Sequence, residues 1–312
     1  MNIVFFGTSP FGLPTLEALT KSRHKIVAIF TTPDKAQGRN LLFHSSPVKR
    51  WAQDHQIHVH DMEKSTMSEL LPTLRDYKAD VFVVISFGVI LSAEVLSTPR
   101  LASLNVHSSL LPRYRGPAPI HWAIWNGDAE TGVTVMRMAE TLDTGDILRQ
   151  AQTPIPSTEN VHTLEERLAL MGGELLMESL DLLENGKAVW IPQDESKASY
   201  ARKITKDDAR IPWSESADAI LRRIRALVGW PGTYTLLHQK RLLIIDAHRS
   251  TETDALTSQP GTVLAASPSQ GLVIQTANGA IVVDHLQMEG KKPMLTADFL
   301  RGNAIKVGDI LH

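Results

Sequence analysis

The chain has 312 residues, 43% hydrophobic and 21% charged, with a net charge of −2 and no cysteine. That length suits two ordinary domains, each with a core of its own. Composition excludes disulfides, thiolate metal sites and a cysteine nucleophile, and no run of about 18 apolar residues offers a membrane span. With charge this balanced, any nucleic-acid surface must be a local patch. The opening "MNIVFFGTSPFG" lacks a basic region and enters a strand-like run at once, so no signal peptide is expected and cytoplasmic residence is the simplest reading.

The first half alternates β-branched runs with amphipathic segments. "NIVFF" (2–6) reads as a buried strand. A turn follows from Gly7 to Gly12, and Pro14 suits the first turn of a helix through Ser22. "KIVAIFTT" (25–32) is a second strand, and Ser46 and Pro47 open a helix over 46–57. "HQIHVH" (55–60) reads as a surface strand rather than a metal site, because no carboxylate stands at matching spacing. "ADVFVVIS" (79–86) and "SLNVH" (103–107) are further strands, "APIHWAIWNGD" a short helix, and "GVTVMRM" (132–138) a strand. A long helix spans 161–187 with Gly186 at its stop. This alternation predicts an α/β fold with a mostly parallel sheet and helices on both faces. Residues 191–213 are polar with little periodicity and read as a linker. One amphipathic helix (216–228) follows, and then short apolar runs at regular spacing predict a small β-barrel.

Three local patterns bear on chemistry. "GTSPFG" follows the first strand with G-x-x-x-x-G spacing, so neither the dinucleotide fingerprint nor the ATP phosphate loop is present. It is a tight strand-to-helix turn, or a turn whose amides line a pocket. Asn105 and His107, at i and i+2 near a strand's C-terminal end, point to one face, at the edge where open α/β sheets bind ligands. An asparagine amide can donate to a developing oxyanion, and a histidine can donate to it or move protons. The proline-set "SLLPRYRGPAP" would wall a pocket beside them, with the Trp122–Trp125 helix packed behind it. In "LDTGDIL" (142–148) a Thr-Gly turn would aim Asp143 at His107 and fix its tautomer; the alternative is a plain Asx turn.

"NVHSSLLPRYRGPAPIHWAIWNGD" and "GVTVMRMAETLDTGDIL" together resemble the folate-dependent formyltransferases. "FFGTSPFGLPTLEAL", "FTTPDKAQGRN", "ADVFVVISFGVILSAEVL", "DDARIPWS" and "RALVGWPGTY" are similar to the members that act on methionyl-tRNA, so the likeness covers nearly the whole chain. The resemblance implies a Rossmann-like catalytic domain (1–189), a linker (190–205) and a C-terminal, OB-like β-barrel that binds tRNA (206–312). It implies formyl transfer from 10-formyltetrahydrofolate, a co-substrate, to the α-amino group of methionyl initiator tRNA, without a metal. By the same resemblance, Asn105 and His107 would hydrogen-bond the oxyanion, and Asp143 would orient His107 and assist proton transfer. The folate would lie against Phe87, Gly88, Ile90, Ser109, Leu110, Leu111 and Pro112, and the tRNA against Arg39, Arg222, Lys291 and Lys292. A monomer with no membrane association is expected.

Other readings are a formyltransferase for an amino-sugar nucleotide, a formate-releasing folate hydrolase, a nucleotide-binding oxidoreductase, and a binding module without chemistry. The missing G-x-G-x-x-G argues against the oxidoreductase.

Overall fold

The computed structural model describes residues 1–37, 42–251, 258–303 and 305–312. The chain falls into two compact units. The first comprises Met1–Pro119, Glu130–Pro154 and Leu164–Ala201; the second comprises Ile120–Ala129, Ile155–Thr163 and Arg202–His312.

In chain order the first half carries β1 (Asn2–Gly7), α1 (Leu13–Thr20), β2 (Lys25–Thr31), β3 (Lys35–Gln37), β4 (Leu42–His44), α2 (Pro47–Asp54), β5 (Val59–Asp61) and α3 (Met67–Asp76). It continues with β6 (Val81–Ile85), α4 (Ala93–Leu96), β7 (Ala102–His107), α5 (Pro119–Asn126), β8 (Glu130–Arg137), β9 (Ile147–Pro154) and α6 (Val161–Glu184). A seven-stranded sheet runs in the order β5-β2-β1-β6-β7-β8-β9. The first five strands are parallel, and β8 and β9 are antiparallel. The apolar runs of β1 and β6 are buried throughout, as a sheet covered on both faces requires. β9 and α3 lie outside the predicted elements. β9 is an edge strand with the polar sequence ILRQAQTP, and α3 carries Pro72 in its interior.

α6 comes unusually near β7. A Cβ on Gly172 would stand 2.9 Å from Val106 Cγ1, and one on Gly173 would stand 3.3 Å from the Pro14 carbonyl oxygen. Gly172 therefore lets the helix backbone press against the strand that bears Asn105 and His107, and Gly173 lets it press against α1. The parallel strands β1, β6 and β7 all run the same way, so the turns after Gly7, Ile85 and His107 leave one edge of the sheet.

The second unit holds α7 (Ala217–Leu227), β10 (Thr233–Leu237), β11 (Lys240–Arg249), β12 (Val263–Ser267), β13 (Gly271–Gln275), β14 (Ala280–Met288), β15 (Met294–Leu295) and α8 (Thr296–Gly302). Its sheet is wholly antiparallel, in the order β10-β11-β14-β13-β12 with β15 on β14. Residues 308–312 lie along both edge strands. Val263 N–H donates to Asp309 O at 2.8 Å, and Leu236 N–H to His312 O at 2.7 Å. This last segment joins the two sheet edges and satisfies donors that would otherwise be left open. Trp213, Ile220, Leu242, Leu286 and Phe299 are among the side chains of the enclosed core.

Trp122 and Trp125 stack at 5.0 Å, with Arg202 over the first ring at 4.9 Å and Arg223 over the second at 4.5 Å. The pair thus stacks with two arginines of its own unit. Arg202 also forks onto Asp208, at 2.6 and 2.8 Å, while Thr205 donates to the same carboxylate through N–H and hydroxyl.

The Arg202 hydrogen bonds, reinforced by those from Thr205, hold the Asp208 carboxyl down to about 2 from an ordinary 3.8. A lowered folded value stabilises the fold above the unfolded value and loses that contribution as pH falls through the folded one. Asp208→Asn is expected to be less stable than the parent at pH 7 in urea unfolding. The difference should close as pH falls from about 4 to about 2; a difference constant across that range would contradict the assignment.

Candidate active site

β7 ends on Asn105 and His107. The Asn105 side chain faces the Val84 carbonyl at 3.1 Å. A carbonyl only accepts, so the atom facing it is Nδ2. One Nδ2 hydrogen is spent there. Asn105 Oδ1 is buried without a hydrogen-bond partner among the described residues. An orphaned polar atom of this kind costs stability unless a ligand or water satisfies it.

His107 Nε2 lies 2.9 Å from the Tyr114 carbonyl. By the same logic Nε2 carries a proton and donates. In the neutral ring Nδ1 then presents a lone pair. Nδ1 stands 3.7 Å from Asp143 Oδ2, with both side chains about nine-tenths buried (8% and 9% exposed). That separation is too long for a hydrogen bond. The tautomer is therefore fixed by Tyr114, where Asp143 was expected to fix it. Asp143 is held separately, its Oδ2 accepting the Gly116 N–H at 2.8 Å.

Both partners of His107 sit on strained backbone. Tyr114 has φ 62° and Asp143 φ 56°, left-handed values uncommon outside glycine. Two residues after Asp143, a Cβ on Gly145 would fall 1.7 Å from the Arg137 carbonyl oxygen, so only glycine lets this turn close against β8. The loop from Ser109 to Gly116 is tied down throughout. Ser109 Oγ donates to Arg113 O at 2.6 Å, Thr134 Oγ1 donates to Ser109 O at 2.6 Å, and Leu111 N–H donates to Thr134 Oγ1 at 3.1 Å. Gln150 Nε2 reaches Leu111 O at 2.9 Å.

The segment read from sequence as a linker supplies much of this order. Tyr114 N–H donates to Ser199 Oγ at 2.9 Å, and Ala201 N–H donates to the Arg115 carbonyl at 2.7 Å. Gln193 reaches the Asp143 turn itself. Sequence reading missed Thr134, Gln150, Gln193 and Ser199. Single polar residues in a polar stretch carry no periodic signal, and their partners are set by the tertiary fold.

The remaining candidates divide. Ser109, Leu111 and Phe87 are buried; Leu111 packs with Met136 and Ile147, and Phe87 meets Phe6 edge-on at 5.5 Å. Leu110 and Pro112 are half-buried, while Gly88 and Ile90 are exposed, Ile90 at 73%. Arg222 sits on α7 and donates to the Trp125 carbonyl at 3.2 Å. Lys291 and Lys292 are exposed in the turn between β14 and β15. Arg39 lies outside the described residues. His60 bonds Tyr77 Oη at 2.7 Å and stacks on Phe30; burial pushes its pKa down. Among the described residues, one group has metal-ligand spacing, His24, Asp181 and Glu184, and Arg23 already bridges its two carboxylates.

The formyl transferase family matches residues 1–180 and its C-terminal domain family matches residues 203–304. The methionyl-tRNA formyltransferase of Geotalea daltonii is 40% identical over 308 residues, covering 99% of this chain and 97% of its own. That of Syntrophus aciditrophicus is 42% identical over 311 residues, covering 100% and 99%. Among solved structures, an N-formyltransferase from Helicobacter canadensis, in complex with folinic acid and dTDP-3-aminofucose, has TM-score 0.68 at 20% identity, covering 92% of this chain and 98% of that one. HypX from Aquifex aeolicus in complex with tetrahydrofolic acid has TM-score 0.63 at 20% identity over 98% of this chain, which spans about half (49%) of HypX. These two structures share the fold. The end-to-end identity decides the kinship: the chain belongs to the methionyl-tRNA formyltransferases.

Proposed function

We propose that the chain moves the formyl group of 10-formyltetrahydrofolate onto the α-amino group of methionyl initiator tRNA, in the cytoplasm and as a monomer. The supporting observation is the buried cluster of Asn105, His107 and Asp143 in a chain that aligns end to end with enzymes of that name. No described helix is long and apolar enough to cross a membrane.

The methionyl amine attacks the formyl carbon. A C–N bond forms, and the carbonyl pair moves onto oxygen. Asn105 retains one Nδ2 hydrogen after serving Val84, and it donates that hydrogen to the oxyanion. His107 Nδ1 takes the proton released by the attacking nitrogen, and Asp143 stabilises the resulting imidazolium across 3.7 Å. Only after this step can His107 itself donate to the oxyanion from Nδ1, because its other nitrogen is held by Tyr114. Collapse of the intermediate breaks the bond to folate N10, which takes up the proton. No covalent enzyme intermediate is needed. Gly88, Ile90, Leu110 and Pro112 offer the accessible surface of the folate wall, with Phe87, Ser109 and Leu111 as its buried support. Residues 1–189 carry this chemistry. Residues 206–312, joined to them through 190–205, grip the tRNA backbone through Arg222, Lys291 and Lys292, with Arg39 reaching the acceptor end.

With 10-formyltetrahydrofolate and methionine-charged initiator tRNA, Asn105→Ala and His107→Ala are each expected to lower kcat/KM about 10²–10³-fold in a chain still folded at assay temperature. An unchanged rate in either variant would remove that residue from the chemistry. Formylation of an amino-sugar nucleotide in place of the charged tRNA would overturn the acceptor. The double variant Lys291→Ala/Lys292→Ala should raise KM for tRNA with kcat nearly unchanged. It should also make log KM less steep in log salt, by about one unit for each phosphate that the lysines no longer neutralise; an unchanged slope would place the tRNA elsewhere.

A further inference from the structure

Asp143 stands in a left-handed conformation, φ 56°, that persists only where the surroundings enforce it. The enforcement comes from Gln193. Its Nε2 donates to the carbonyls of both Asp143 and Gly145, at 2.8 Å each. Its Oε1 accepts from Arg115 Nε at 3.0 Å and Nη2 at 2.8 Å. Both amide hydrogens and the amide oxygen are thus engaged. Inverting the amide would set its oxygen against two carbonyls and its hydrogens against a guanidinium, so one orientation alone is tolerated. Arg115 is in turn anchored to Glu195 at 2.7 and 2.9 Å.

These bonds close a ring. Arg115 grips Gln193, Gln193 grips the backbone of Asp143, and the Asp143 carboxylate accepts from Gly116, the residue next to Arg115. The loop that carries Tyr114, the partner of His107 Nε2, and the turn that carries Asp143 are therefore coupled through one amide side chain. The hydrogen bonds of Gln193 run to Arg115, Asp143 and Gly145, with a long contact to Met136 Sδ at 3.9 Å and none to Asn105 or His107, so it acts on the reaction through these neighbours, and its two shortest donations fall on the turn that carries Asp143.

We infer that Gln193 is a positioning residue for the reaction: it sets the distance between Asp143 and His107 by clamping the Asp143 turn to Arg115. The inference rests on the proposal that Asp143 takes part in the transfer. A misplacement of about 1 Å remote from the chemistry can cost about 10²-fold in rate.

The test uses the full chain, 10-formyltetrahydrofolate and methionine-charged initiator tRNA, with thermal unfolding measured for every variant. Gln193→Glu keeps an acceptor for Arg115 and removes both donations to the turn. It is expected to lower kcat about 10²-fold with KM for both substrates nearly unchanged. Gln193→Ala should cause a similar loss alone and little further loss in the Asp143→Asn background, because both changes act through one carboxylate. If Gln193→Ala fails to fold, the Gln193→Glu comparison decides. Parental kcat in Gln193→Glu, or fully multiplicative losses in the double variant, would overturn the inference while leaving the role of Asp143 intact. Parental activity in Asp143→Asn would overturn both.

Discussion

The donation from His107 Nε2 to the Tyr114 carbonyl is the interaction on which the rest of the site turns. A carbonyl oxygen has no hydrogen to give, so this one contact decides which ring nitrogen is free. It leaves Nδ1 facing Asp143, with about nine-tenths of both side chains buried. The carbonyl is aimed by the left-handed backbone of Tyr114 and by the Ser199 hydroxyl behind its N–H. The charge partner is aimed from the other side by Gly116 and Gln193. Two loops that are distant in sequence thus converge on one imidazole, and a segment distant from both, 193–201, ties them together. Strain at Tyr114 and Asp143 is the cost of the arrangement, offset by hydrogen bonds that leave few of the nearby polar groups idle. Asn105 Oδ1 is the exception, a buried acceptor that a bound substrate can satisfy.

Much of this is legible in the sequence alone. The i, i+2 spacing of Asn105 and His107 follows from the two-residue period of a strand, and placing them at a C-terminal strand end follows from the rules of parallel sheets. The buried runs of β1, β2 and β6 announce themselves as apolar stretches. Asp143 is readable only as a turn, because an Asx turn and a charge partner look alike in sequence. β9 is not readable: an edge strand with the sequence ILRQAQTP is fixed by its ladder to β8 rather than by its own pattern. Gln193 and Ser199 are hidden for a similar reason. A polar segment without periodicity reads as solvated chain until the partners across the fold are known.

The C-terminal unit shows where charge is informative and where it is not. Residues 206–312 contain 12 basic and 11 acidic side chains, yet several of the arginines are already committed. Arg223 is bound to Glu215 and Arg249 to Asp218, and Arg202, just ahead of this stretch, is bound to Asp208. Arg222 and Arg225 instead meet backbone carbonyls, which leaves their charge uncompensated by those partners. A formal count treats all of these arginines alike, whereas the fold separates cations paired with carboxylates from cations that meet only backbone carbonyls. The Arg202–Trp122–Trp125–Arg223 stack belongs to the first group.

The central claim, that Tyr114 fixes the His107 tautomer, is tested most directly by nitrogen-resolved NMR of the imidazole in the intact protein, at a pH where the ring is neutral. The Nε2-protonated tautomer is expected, with Nδ1 giving the signal of a nitrogen that carries a lone pair and Nε2 that of one bonded to hydrogen. Replacing Ser199 by alanine should weaken that preference by loosening the Tyr114 carbonyl. A ring protonated at Nδ1 would contradict the claim, because Nε2 would then face Tyr114 with no proton to donate and the proton acceptor assigned to the reaction would already be filled.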